Sequence, residues 1–351
     1  EEFLWYKRKK GGVKKERWMT VKADCVTTND KKGTYRNYLL SAFCGGNIGD
    51  TGNALMVSAQ DLHIPVLAQE VMEWLRPRSS GCYVDGTLGL GGHSEMILQQ
   101  SAPDGRVLGF EWDTRAARFA AERLACFGER FQLLRVSYAD MSGQLQAAGQ
   151  GSVDGILVDL GVSSLQLDCP ERGFSFREDA LLDMRMDTDR KVTAEQLVNR
   201  LPQEKLADIF FHYGEERQAR RVARFIVETR EERPLRTTQQ LADLVASAIP
   251  RKYHPKKIHV ATKVFQALRI AVNRELENLT RLLEDGPELL ASGARLCIIS
   301  FHSLEDRIVK QAFARTAHYK VLTNKPVLPT ADELRKNVRA RSAKLRVAER
   351  V

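Results

Sequence analysis

Between Gly81 and Gln100 the chain reads as strand, glycine turn and helix. A short apolar run, Cys82 to Val84, ends in Asp85 and passes into D-G-T-L-G-L-G-G-H-S, after which Glu95 to Gln100 has the apolar spacing of a helix. Gly86, Gly89, Gly91 and Gly92 carry no Cβ, so backbone amides can lie close against a ligand and positive φ is accessible. The helix N-terminus behind them adds unpaired N–H groups and a partial positive charge, which suit a carboxylate or phosphate. A glycine turn of this kind also occurs with no ligand at all, and G-x-x-G-x-G-G is not the G-x-G-x-x-G dinucleotide fingerprint. The next strand favours a nucleoside cofactor. Val107 to Phe110 ends at Glu111, about 26 residues beyond Asp85, near the offset at which an acidic side chain closing the second strand holds ribose hydroxyls.

The rest of the order is regular from His63. A short amphipathic helix, Gln69 to Leu75, is stopped by Pro77; beyond Glu111 come a helix from Thr114 to Phe127, a strand from Phe131 to Val136, and a strand from Gly155 to Val158 ending at Asp159. Strands alternating with helices at this spacing predict an α/β fold with a doubly wound, mostly parallel, Rossmann-like sheet. Ligands sit at the carboxyl ends of such strands, where Asp85, Glu111, Ser137 with Tyr138, and Asp159 all fall. From Thr193 to Leu283 the period turns helical, with helices starting at Thr193 and spanning Gln203 to Tyr213, Arg217 to Arg230, Thr237 to Ala248, and, as one long element, His259 to Leu283. Thr193 with Gln196 has capping-box spacing, and Thr238 offers a cap for the fourth helix. Strand rhythm resumes at Ala294 to Ser300. The expected organisation is therefore an extension at 1–55, a first core segment at 56–168, an inserted helical substrate-recognition domain at 169–284, and a second core segment at 285–351. Residues 1–55 show no sustained period and read as translated upstream sequence or a disordered extension; their acidic residues argue against a basic transit peptide.

Net charge is +9, and its placement matters more than its sum. From Arg217 to Arg274 the chain carries 14 Lys and Arg against 4 acidic residues, and a second cluster runs from Arg335 through Lys336, Arg339, Arg341 and Lys344 to Arg346. Phosphate backbones are the natural partners of two such clusters, although a single charge run is as readily a solvated helix face. No apolar run approaches the roughly 20 residues needed to span a bilayer. The 6 cysteines are scattered without a C-x-x-C pair, and Cys82 and Cys297 sit in expected buried strands. That usage fits a reducing, cytoplasmic setting with no disulfide framework and no metal site.

Four blocks now line up: D-G-T-L-G-L-G-G-H-S (Asp85 to Ser94); D-G-I-L-V-D-L-G-V-S-S-L-Q-L-D (Asp154 to Asp168) with E-R-G-F-S-F and L-D-M-R-M-D after it; S-F-H-S-L-E-D-R-I-V-K (Ser300 to Lys310); and R-A-R-S-A-K-L-R-V-A-E-R (Arg339 to Arg350). Together they strongly resemble the RsmH (MraW) family, S-adenosylmethionine-dependent methyltransferases that modify N4 of a cytosine in small-subunit (16S) ribosomal RNA. The likeness covers His63 to the C-terminus. It implies a methyltransferase sheet with a helical insertion, S-adenosylmethionine as cofactor, and 16S ribosomal RNA or the small subunit as partner. It implies further that the methionine moiety lies at Gly91, Gly92 and His93, that Glu111 holds the ribose, that Tyr138 lies against the adenine, and that Asp159 with Gln166 completes the site. Four positions depart from the family pattern: Glu111 and Tyr138 stand where Asp and Phe are usual, and Leu165 and Val338 replace prolines.

The chemistry such an activity needs can be set beside the residues. Cytosine's exocyclic amine is a poor nucleophile because its lone pair is delocalised into the ring, so a site must polarise its N–H groups and align nitrogen, methyl and sulfur. Asp159 occupies the position for that acceptor, but the aromatic that commonly follows in amino-methyltransferases is absent from L-G-V-S-S. Phe174 and Phe176 are the nearest candidates for stacking a base. His302, at the end of the resumed strand, is a second candidate catalytic group, with a structural hydrogen bond as its alternative. An amine inside a duplex is unreachable, so the target is expected to be single-stranded or flipped out. A non-catalytic RNA-binding assembly factor and a DNA amino-methyltransferase remain as other classes, although the intact glycine loop, Glu111 and Asp159 speak for turnover.

Overall fold

The structure, a computed structural model, describes residues 64–351; the expected extension 1–55, with Cys25 and Cys44, lies outside them. Seven strands form one sheet: β1 (Cys82–Asp85), β2 (Arg106–Phe110), β3 (Phe131–Leu134), β4 (Val153–Asp159), β5 (Leu290–Ser300), β6 (Tyr319–Val321) and β7 (Lys344–Arg350). Their order is β3-β2-β1-β4-β5-β7-β6, with the pairs from β3 through β5 parallel and β7 antiparallel to both β5 and β6. The expected doubly wound, mostly parallel sheet is present. The chain leaves β1 toward one edge and returns through β4 toward the other, which opens a crevice at the carboxyl ends of those two strands.

The helices are α1 (Ala68–Leu75), α2 (Gly92–Gln100), α3 (Thr114–Leu124), α4 (Met141–Ala147), α5 (Ser164–Asp168), α6 (Ala194–Arg200), α7 (Gln203–His212), α8 (Ala219–Glu232), α9 (Thr238–Ala248), α10 (Thr262–Asn273), α11 (Glu275–Leu289), α12 (Ser303–Arg315) and α13 (Ala331–Lys336). Side chains alternate across a strand, so consecutive residues feed different cores. Val84, Leu108, Ile156, Val158 and Ile298 pack with α4, α11 and α12; Tyr83, Val107, Leu157, Cys297 and Ile299 pack on the opposite face with α1, α2 and α3. Burial pushes the Cys297 thiol up to about 12, whereas Cys82 is only half-buried. A third core, built from α6 to α10 around Phe210, Val222, Leu241 and Leu268, belongs to the insertion. Among the described residues no helix is long and apolar enough to cross a membrane.

Several boundaries move, each for a local reason. The helix expected to reach Phe127 ends at Leu124 and continues as a 3-10 segment through Arg130, turned at Gly128 with φ 57°. Strand β3 stops at Leu134, two residues short of the expected Val136, and β5 begins at Leu290 rather than Ala294. Thr237, not Thr238, caps α9, in a box with Gln240; the buried Thr238 hydroxyl instead donates to the Glu178 carbonyl and accepts from the Ala180 amide. The largest change is in the long fifth helix, which is two helices broken at Arg274, a non-glycine residue at φ 55° and ψ 41°. No glycine or proline marks the break. Asn273 holds it from outside the helix: its Oδ1 accepts from the Met186 amide at 2.8 Å and its Nδ2 donates to the Met184 carbonyl at 2.7 Å. Core membership changes at the same point, α10 packing in the insertion while Leu279, Leu282 and Leu283 of α11 pack on the sheet.

Candidate active site

A cavity of about 440 Å³ lies at the carboxyl ends of β1, β2 and β4, within the size range of small-molecule sites. Its floor is the turn between β1 and α2. The Gly86 amide donates to the Leu157 carbonyl at 2.8 Å, and a Cβ there would meet Val158 at 2.9 Å, so this position tolerates only glycine without a shift. The Gly89 amide donates to Glu111 Oε2 at 2.8 Å and the Asp113 amide to Glu111 Oε1 at 2.8 Å, which fixes the carboxylate between the glycine loop and the start of α3. Thr87 Oγ1 accepts from the Asp159 amide at 2.6 Å, joining the ends of β1 and β4. His93 is buried and donates through Nε2 to the Val66 carbonyl at 2.9 Å. Gln166 closes a capping box with Ser163 and donates to Asp113 Oδ2 at 3.0 Å.

Gly92, His93, Glu111, Tyr138, Asp159 and Gln166 all line this cavity. Gly91 does not: it caps α2 at φ 79°, and a Cβ there would meet Leu124 at 3.1 Å, so it serves the packing of α3. His302 is also absent from the lining. Its Nδ1 accepts from the Glu305 amide at 3.4 Å, capping α12, and its Nε2 lies 3.2 Å from Glu305 Oε1. These contacts belong to the structural alternative for His302, and the group of this segment that lines the cavity is Glu305. Phe174 and Phe176 pack against the insertion's core, Phe176 at 4.7 Å from the Phe265 ring, and neither lines the cavity. The aromatic ring supplied there after β5 is Phe301.

Residues given no place in the cofactor pocket by the sequence complete the walls. Arg269, Glu275 and Glu305 come from α10, α11 and α12, and Arg339 and Arg341 come from the segment before β7. The last three lie inside blocks that the sequence displays, S-F-H-S-L-E-D and R-A-R-S. For Arg269 and Glu275 there was no local signal, since the break at Arg274 is what turns them toward each other.

Three buried carboxyls at the strand ends are pushed up. Burial raises Asp85 to about 6 despite hydrogen bonds from Ser94 and Thr87, and raises Glu111 to about 8 against its two backbone donors. Burial, with Asp85 and Glu305 nearby, pushes the Asp159 carboxyl well above the usual range, and its Oδ1 has no hydrogen-bond partner among the described residues. Glu305 goes the other way: against burial, His302, Arg269 and the Phe301 amide hold it low. Glu111 and Asp159 line the cavity, where a ligand bringing hydroxyl donors and a cation would satisfy them, whereas Asp85 lies behind the lining on Ser94 and Thr87.

Linkage gives these shifts a sign. The folded chain keeps the Glu111 proton between 4.5 and about 8 and the Asp85 proton between 3.8 and about 6, where the unfolded chain has lost them. Stability from both groups is full below those windows and is lost as pH rises through them. Thermal melting of the ligand-free protein should therefore fall by several degrees between about pH 5.5 and about pH 8, and Glu111→Gln should flatten much of that slope. Equal slopes for the two proteins would show that Glu111 ionises normally.

The model of the MraW methylase family matches residues 60–351. A ribosomal RNA small subunit methyltransferase H from Desulfotalea psychrophila is 55% identical over 295 residues, covering 84% of this chain and 100% of that protein. The protein of that name from a Cyanothece species is 54% identical over 291 residues, covering 83% and 95%. Among solved structures, a methyltransferase homologue from Pyrococcus horikoshii aligns with 86% of this chain and 73% of its own at 15% identity, with a TM-score of 0.42. With the family match spanning the whole of the described sheet, the cavity and the insertion, the chain belongs to the MraW methylase family.

Proposed function

We propose that the protein is an S-adenosylmethionine-dependent methyltransferase that methylates N4 of a cytosine in 16S ribosomal RNA, in the decoding region of the small subunit. The observation that carries this reading is one cavity holding the glycine turn, the anchored Glu111 and an Asp159 oxygen with no hydrogen-bond partner among the described residues. The relatives named as small-subunit ribosomal RNA methyltransferases support it.

When bound, S-adenosylmethionine supplies a methyl group on a positively charged sulfur. Glu111, already aligned by Gly89 and Asp113, would accept from ribose hydroxyls; Gly92 and His93 would flank the methionine moiety; Tyr138 would lie against the adenine; and Gln166 would keep Asp113 and the Ser163 turn in place. A cation in the cavity favours the ionised form of Asp159. Asp159 then accepts a hydrogen bond from the exocyclic amine and takes its proton as nitrogen gains the methyl group, which keeps positive charge from building on the base.

The substrate strand meets a basic insertion. Arg217, Arg220 and Arg224 are exposed on or beside α8, and Arg251, Lys252, Lys256 and Lys257 are exposed in the loop before α10. Purified small subunits and free ribosomal RNA, incubated with labelled cosubstrate and followed by nucleoside analysis, should yield N4-methylcytidine. RNA affinity should fall steeply with added salt. Cosubstrate binding without transfer to either substrate would favour the assembly-factor reading, and transfer to duplex DNA alone would favour the DNA-modifying one.

A further inference from the structure

The second basic cluster, Arg335 to Arg346, has no part in the proposed function, and the structure sorts its 6 cations. Arg346 Nε donates to Asp306 Oδ1 at 2.6 Å and Lys344 Nζ to Asp306 Oδ2 at 3.4 Å. Arg335 pairs with Asp332 one turn earlier on α13, and Arg339 pairs with Asp168 of α5. Lys336 and Arg341 make no hydrogen bond or ion pair among the described residues, and of the two Arg341 lines the cavity. Two other guanidinium groups share that wall. Arg269 gives Nε and Nη2 to the two oxygens of Glu275, both at 2.8 Å, and Arg339 is held by Asp168. Arg341 is thus the uncommitted cation of the cavity among the described residues, and it is exposed.

The backbone that carries Arg341 is anchored on both sides. Val338–Ser342 is a 3-10 turn capped by Asn337, whose Oδ1 accepts from the Arg339 amide at 3.1 Å. Asn337 Nδ2 donates to the Ile64 carbonyl at 3.0 Å and Glu333 Oε1 accepts from the Leu67 amide at 2.7 Å, which pins the turn and α13 to the residues leading into α1. Ala340 is fully buried, and beyond the turn Lys344 pairs in register with Ser300 at the end of β5. Val338, in the same turn, also lines the cavity and is 74% exposed. Side chains that line a cavity and remain exposed stand at its mouth.

A nucleotide whose base enters a cavity leaves its phosphates at the mouth, because they are joined to the base through the sugar and keep their charge in water. Resting on the function proposed above, we infer that Arg341 binds a backbone phosphate of the target nucleotide at the mouth of the cavity. A guanidinium meets a phosphate through two parallel N–H···O bonds, and one without a carboxylate partner has none to give up. Gly92 and His93, proposed beside the methionine moiety, are buried, whereas Arg341 is exposed, so the anion it meets is the strand's phosphate and not the cosubstrate's carboxylate. Such a contact carries no base information. It fixes the register of the strand over the cavity.

The test compares wild type with Arg341→Met, Arg341→Lys and Arg335→Met on purified small subunits, with cosubstrate affinity measured by calorimetry and folding by melting temperature. Arg341→Met should raise KM for the subunit about tenfold, the loss of one charge-assisted contact, with kcat and cosubstrate Kd within about twofold of wild type and an unchanged melting temperature. Its plot of log kcat/KM against log salt should be shallower by about 0.7, one phosphate contact on a single strand. Arg341→Lys should keep the wild-type slope and recover part of KM. Arg335→Met, which removes an equal charge from the same cluster, should stay within about twofold of wild type. A second arm uses subunits reassembled with one neutral methylphosphonate, 5′ or 3′ of the methylated cytidine. At one of these positions wild type should slow about tenfold and Arg341→Met should not respond. Unchanged KM and slope in Arg341→Met, a loss of cosubstrate affinity in their place, an equal loss in Arg335→Met, or equal responses of wild type and Arg341→Met to both methylphosphonates would each overturn the assignment. If wild type itself makes no N4-methylcytidine, it is the proposed function that fails.

Discussion

Asparagine in place of Asp159 is expected to lower methyl transfer by about 10²–10⁴-fold, the range spanned by loss of a positioned general base. The substitution keeps the shape of the side chain and removes only its capacity to take a proton. Because burial and the neighbouring Asp85 and Glu305 already disfavour the charged form, the neutral amide should also raise the melting temperature of the ligand-free protein. Single-turnover transfer at saturating cosubstrate, read beside a melting curve, separates the two effects. Full turnover in Asp159→Asn would remove the residue from the chemistry, and an unchanged melting temperature would mean its carboxyl is not strained in the free protein.

Arg172→Met should be the most destabilising single change, at about 3–5 kcal/mol, the cost typical of breaking a buried ion pair from one side. Arg172 donates to Asp113 Oδ2 at 2.6 Å and to the carbonyls of Arg185 and Met186 at 2.8 and 3.0 Å, with side-chain exposures of 8% and 2% for the ion pair. Asp113 also caps α3 and accepts from Gln166, so the pair ties the sheet to the first residues of the insertion. Removing the guanidinium leaves a buried carboxylate with only neutral donors. Urea unfolding measures the loss, and Arg172→Met, Asp113→Asn together should recover part of it, because the unpaired charge is then gone. Asp113 is held below the usual range against burial by Arg172 and Gln166, so the stabilisation is present above its unfolded value and is lost as pH falls through the folded one. A loss under about 1 kcal/mol would show that water reaches Asp113.

Much of the sheet was legible because its signals are local. Apolar runs ending in Asp85, Glu111 and Asp159 announce strands whatever surrounds them, and the glycine turn after Asp85 announces a close approach of backbone. Terminal residues were less legible: Leu134 ends β3 and Leu124 ends α3 where neighbouring strands and the Gly128 turn dictate, not where the apolar period fades. The break at Arg274 had no local mark, since the helical pattern continues through it and the force that bends the chain comes from Met184 and Met186. His302 illustrates the converse. Its position after a strand suggested chemistry, whereas its cap on α12 and its approach to Glu305 are visible only from its neighbours.

By itself the sequence determined the strand order along the chain and which side chains leave the strands at their carboxyl ends, because strand polarity and period-two alternation are properties of a few adjacent residues. It thereby placed Glu111, Tyr138 and Asp159 at one edge of the sheet. Only the tertiary structure decided what stands across from them. Arg269, Glu275 and Glu305 reach the cavity through a helix break, a buried ion pair and a cap, contacts between residues far apart in the chain, whose energies depend on burial and orientation that no local pattern encodes.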